Sequence, residues 1–170
     1  MIGSFASRFC KDRTASAAAE MALMLPVLFA LIFTTYEGGH YMWSEHKVLK
    51  GVRDGARYAA RLPFTNYDCT DTDLVGADAA TRITEIKNLT RTGMISGGTP
   101  KVPGWADDDI TVSVQCNGTY TTGLYSGIAG GAPTVTVATR VQYPSILGLL
   151  GFDTSGAFVR GQAHAAVTGL

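Results

Sequence analysis

A chain of 170 residues is long enough for one domain of ordinary size and an additional element. Lys and Arg number 14, Asp and Glu also 14, and no basic block occurs, which excludes an electrostatic nucleic-acid binder. Hydrophobic residues make up 46% and gather early: residues 21–33 are wholly apolar, whereas residues 65–125 have the composition of a soluble domain.

Arg8, Lys11 and Arg13 precede the apolar run against a single acid, Asp12. Residues 16–36 make 21 positions, the length of a bilayer-spanning helix. The basic flank puts the N-terminus in the cytoplasm and the chain after residue 37 on the far side. No small-x-small site follows in "TTYEGGHYMW", so the segment reads as a retained anchor rather than a secretory signal. Its one charge is Glu20, at the head of the run.

Helix formers continue beyond the anchor through "YMWSEHKVLKGVRDGARYAARL", which predicts one helix over 15–62, stopped by Pro63. At 1.5 Å per residue that is a rod of roughly 70 Å. Pro26 is expected to kink the membrane half, and Gly38-Gly39 is a second weak point. Gly51, Gly55 and Ala59 recur every four residues, a spacing that lets another backbone approach closely. They read as a packing seam toward another chain's helix or the chain's own head. Asp54 is placed to pair with Arg57 beside it.

"LPFTNYDCTDTD" reads as a polar loop. An amphipathic helix is predicted over 73–92, with Val75, Ala79, Ile83, Ile86 and Leu89 on one face and Gly93 at its end. Alternation predicts strands at 110–116, 134–143 and, more weakly, 157–167. The fold class is α+β: a long N-terminal transmembrane helix continuing into a rod, then a small head with one helix and an antiparallel sheet. The expected divisions are a basic leader 1–15, a membrane helix 16–36, a helix extension 37–62 and an α+β head 63–170.

Of three cysteines, Cys10 lies before the anchor, while Cys69 and Cys116 lie beyond it, where disulfides persist. Pairing these two would stabilise the head by roughly 4 kcal/mol.

The order of basic leader, small residue, "SAAA", Glu20 and apolar helix resembles a type IV prepilin, and "VRDGARYAARL" resembles the helix end of TadE-like pseudopilins of the tight-adherence (Flp) pilus system. The resemblance covers residues 12–62. It implies cleavage between Ala15 and Ser16 by a prepilin peptidase, with Glu20 as the fifth mature residue. That family usually carries Gly where Ala15 stands and an aromatic where Met21 stands. In related filaments the new α-amino group pairs with the glutamate of a neighbouring subunit. This would give Glu20 the partner that lipid denies it, at a lipid cost of roughly 3 kcal/mol; the alternative is a Glu20 that merely sits at headgroup depth near the cytoplasmic face.

Other constellations are weaker. Glu37 and His40 have a di-iron spacing, but no second Glu-x-x-His supplies the matching half. "DCTDTD" and "ADDD" lack the EF-hand pattern and read as turns. No Gly-x-Ser-x-Gly is present, and His164 has no evident nucleophile, so no catalytic residue is assigned. "NLT" and "NGT" are sequons that would matter only in a eukaryotic secretory pathway; the prokaryotic reading makes them chance. "YPSILGLLGF" reads as an apolar loop half-buried on its own domain or as a contact surface.

The sequence thus points to a minor pilin or pseudopilin, not an enzyme, without metal or cofactor. Its expected partners are a prepilin peptidase, other pilins, the inner-membrane assembly platform and the bilayer. An uncleaved anchored scaffold or a tethered binding module is the alternative.

Overall fold

A computed structural model describes residues 13–70, 73–149 and 151–169; Arg8, Cys10, Lys11 and Asp12 lie outside that range. The chain divides into two units, Met1–Gly39 and His40–Leu170. One helix, α1 (Arg13–Ala59), runs through both, and it continues through Pro26 and Gly38-Gly39.

In the first unit every residue from 17 to 36 is exposed. This stretch is long and apolar enough to cross a membrane. Its two threonine hydroxyls are satisfied within the helix: Thr34 Oγ1 donates to Ala30 O at 2.7 Å and Thr35 Oγ1 to Leu31 O at 2.8 Å. Such back-bonding removes the penalty that a free hydroxyl meets in hydrocarbon.

In the second unit α1 becomes a core element. Val48, Val52, Ala56 and Ala59 are at most 1% exposed. Strands β1 (Ile110–Asn117), β2 (Ala132–Gln142) and β3 (Phe158–Ala166) form an antiparallel sheet in the order β1-β2-β3. The register sets Val112 opposite Val137, and Val137 opposite Ala163. The predicted alternation of β1 is realised, with Ile110, Val112 and Val114 buried and Thr111 and Gln115 exposed. In central β2, Thr136 and Thr139 are buried as well as the valines. Gly161 of β3 lets α1 approach, since a Cβ there would sit 3.0 Å from Val48 Cγ1.

The second helix, α2 (Ala79–Thr92), begins later than the sequence pattern suggests. Leu74 forms an antiparallel bridge with Tyr67, and Val75 N–H donates to Asn66 O at 2.9 Å. Gly76 then turns the chain at φ +101°. Residues 74–76 are therefore held by the preceding segment and cannot enter the helix. Gly93 ends α2 in the left-handed region, as expected, at φ +87°.

The supposed polar loop after α1 also contributes to the core. Phe64–Asn66 form a 3₁₀ turn, and Leu62 and Tyr67 are buried. α1 stops at Ala59, four residues before Pro63. Its terminal carbonyls find new donors: the Tyr67 hydroxyl and the Leu62 N–H donate to Ala59 O, and Thr168 N–H donates to Ala60 O at 2.8 Å. Cys69 and Cys116 form the expected disulfide, with Cα atoms 5.5 Å apart.

Candidate functional site

The first candidate segment is the start of α1. The backbones of Ala15 and Ser16 lie within the helix, while their side chains are outside the described set. Glu20 is exposed, one turn into the stretch whose apolar side chains are also exposed: Leu23 at 76%, Met24 at 67% and Phe29 at 51%. A helix that shows apolar residues on every side calls for lipid or other apolar helices around it.

The second is the small-residue series. A Cβ on Gly55 would collide with Thr90 Oγ1, and one on Gly51 would collide with Thr90 O and stand 2.9 Å from Trp105 Cη2. The glycines thus face α2 and Trp105 of the chain's own head. Ala59 is wholly buried in the same core. Thr90, also wholly buried, donates its hydroxyl to Ile86 O at 2.7 Å. Trp105 Nε1 donates to Thr139 Oγ1 at 3.0 Å, and Thr139 passes the bond on to Asp109 O at 2.8 Å. Asp54 does not pair with Arg57; its carboxylate lies 4.0 Å from Lys101 Nζ.

Residues with possible metal or catalytic spacing have other engagements. His40 Nδ1 shares a 2.8 Å hydrogen bond with the Tyr143 hydroxyl, and His164 Nδ1 shares one of 2.7 Å with Thr136 Oγ1. Asp68 accepts the Thr70 N–H, which holds its carboxyl below the usual carboxylate range. Asp109 accepts the Ala106 N–H, and Asp107 faces Arg91 Nε at 3.0 Å in an ion pair whose geometry falls short of a hydrogen bond. Asn88 of the first sequon is buried, and its amide donates to Met94 O and Gly97 O at 2.9 Å each. In "YPSILGLLGF" a single turn, α3 (Ile146–Leu149), leaves Ile146 and Leu147 half-buried, whereas Phe152 is 63% exposed.

Sequence reasoning missed a cleft of about 500 Å³ on the second unit, where α1 meets the segments at 100–103 and 144–146. Trp43, Lys47, Lys101, Ile146 and three prolines line it. Lys47 Nζ stands 3.3 Å from the centroid of the Trp43 ring and donates to Lys101 O at 3.0 Å. The signal in the sequence was an aromatic followed by a lysine one turn later, just beyond the apolar run.

Residues 15–57 match the model of the TadE-like protein family. The TadE-like segment takes in the anchor, Glu20, Gly51 and Gly55, and ends before the sheet. No curated protein and no solved structure matches the chain. The match therefore rests on the helix, and the head beyond the TadE-like segment is described by its own geometry.

Proposed function

We infer that this chain is a minor pilin or pseudopilin of a tight-adherence pilus. It is matured by a prepilin peptidase between Ala15 and Ser16. It is anchored in the bacterial inner membrane with a cytoplasmic N-terminus and a periplasmic head. There it joins or primes filament assembly with other pilins and the inner-membrane platform.

The observation that carries this reading is the exposure of residues 17–36 on all sides of a TadE-like helix whose only charge in that stretch is Glu20. Such a helix is stable in lipid and, equally, in a bundle of like helices. Glu20 distinguishes the two settings, because only the bundle brings a neighbour's α-amino group to it. The work so described is structural, and no residue is assigned to catalysis.

The test is Glu20→Ala. Membrane insertion is expected to hold or improve, since a carboxylate leaves the lipid. Cleavage is expected to persist, and intact mass should show a chain beginning at Ser16. Recovery with sheared pili should fall, with Glu20→Gln intermediate. Normal recovery of Glu20→Ala at equal protein level refutes the pairing. A mass that retains residues 1–15 makes the chain an uncleaved anchored scaffold instead.

A further inference from the structure

We propose that the cleft beside Trp43 seats the anionic headgroup of a phospholipid from the leaflet nearest the head. This rests on the membrane reading of residues 16–36. The cleft is cationic: the Lys47 ammonium lies in it, bonded to the Lys101 carbonyl of its wall, and no described residue lining it carries a carboxylate. Glu37 and Glu45 share this stretch of α1 without lining the cleft.

Lys47 has donor capacity left for an anion. It spends one N–H on Lys101 O and rests on the Trp43 ring, and an ammonium has three donors. Lys101 gives the wall its carbonyl, while its own ammonium lies 4.0 Å from Asp54, which does not line the cleft.

The rest of the lining suits the glycerol and upper-chain region of a lipid. Trp43 is 53% exposed and offers an amphipathic ring, and Ile146 and the prolines offer apolar walls. Position favours the same ligand. Trp43 follows Tyr36, the last residue of the apolar segment, by seven residues. That is roughly 25 Å of chain at most, and roughly 10 Å as helix, so the headgroup layer is within reach of the cleft. Aromatic and basic residues at that depth are the common anchors of membrane proteins. An anionic lipid gains over a zwitterionic one by about five-fold for each lysine that faces the surface.

The experiment uses the full chain in phosphatidylcholine vesicles that carry a fixed fraction of dibrominated phosphatidylglycerol or dibrominated phosphatidylcholine. Trp43 emission is obtained as the difference between the wild type and Trp43→Phe, because the other tryptophan, Trp105, is buried. Brominated phosphatidylglycerol should quench Trp43 about five-fold more effectively than the choline lipid. Lys47→Gln should remove that excess, and Lys47→Arg should keep it. Equal quenching of the wild type by the two lipids overturns the proposal, as does an excess that survives Lys47→Gln. Loss of the excess on adding inorganic phosphate assigns the cleft to a free anion and overturns the lipid. A Phe29→Trp reporter in the Trp43→Phe chain separates the two levels of failure. Quenched equally by both lipids, it upholds the membrane reading whatever the cleft does; unquenched, it removes that reading and the proposal with it.

Discussion

From residue 17 to residue 36 every side chain of α1 is exposed, whereas Val48, Val52, Ala56 and Ala59 of the same helix are at most 1% exposed. Backbone geometry is shared; what differs is where each half finds its apolar partner. The second half has the chain's own sheet and α2. The first has none among the described residues, and its apolar area calls for lipid or neighbouring helices. Glycine follows the same division. Gly38 and Gly39 have open space around them, while Gly51 and Gly55 are pressed against Thr90. A glycine in a helix thus reads as a contact only where a partner is in place.

The largest test of this contrast is removal of the disulfide. Cys69→Ser with Cys116→Ser frees a loop of sequence separation 47. It should cost the head about 4 kcal/mol in the chain-entropy account. Denaturant unfolding in detergent, followed by the fluorescence of buried Trp105, measures it. The helicity of residues 17–36 should not change; a parallel loss there would break the division of α1 into two regimes.

Next in size is Gly55→Ala, whose Cβ meets the Thr90 hydroxyl and should cost about 1–3 kcal/mol by overpacking. Thr90→Ala in the same chain should restore part of the loss, and additive effects would show that the two residues do not touch in solution.

The third test is pH. Burial pushes the Tyr67 phenol well above the ordinary tyrosine value of about 10. The folded state therefore holds this proton more tightly than the unfolded chain. The stability it contributes is complete below pH of about 10 and is lost as pH rises above it, by about 1.4 kcal/mol per unit. Tyr58 is raised too, by burial and then by its bond to Glu85, so it adds a slope of the same sign. Tyr67→Phe should remove the larger part of the alkaline loss; an unchanged alkaline limb in the unfolding curve contradicts the burial.

The smallest effect is expected at Gly39→Ala. With nothing near its Cβ, it should leave head unfolding unchanged and favour the helix by about 0.5–1 kcal/mol. A loss of head stability would extend the packed regime of α1 past His40.

The strands were legible because Val and Thr alternate at a period of two and only one face could be apolar. The onset of α2 was not, because Val75 falls in phase with a helical stripe, yet Asn66 and Tyr67 hold its neighbourhood through backbone bonds. Tyr67 sits in a run whose polar composition hides its burial. Asn88 and Thr90 are not among the residues of the predicted apolar face, yet both are buried, with their side chains bonded to backbone carbonyls. The spacing of Gly51, Gly55 and Ala59 announced a close approach but not its partner, which lies at Thr90. Of the cleft, only the Trp43–Lys47 spacing was open to pattern reading; its other wall was not, since Lys101 meets Lys47 across 54 positions.

The packing of Gly161 against Val48 and Val52 sets a timetable for biosynthesis. The ribosome makes the inner face of α1 first and the strand that covers it more than a hundred residues later. At ordinary translation speed that face stays bare for on the order of ten seconds. During that interval Val48 and Val52 lack their native cover, and a chaperone that holds apolar helices has its longest opportunity there. A chain interrupted before residue 158 never gains β3. It presents a bare valine stripe to quality control, whatever its anchor has done.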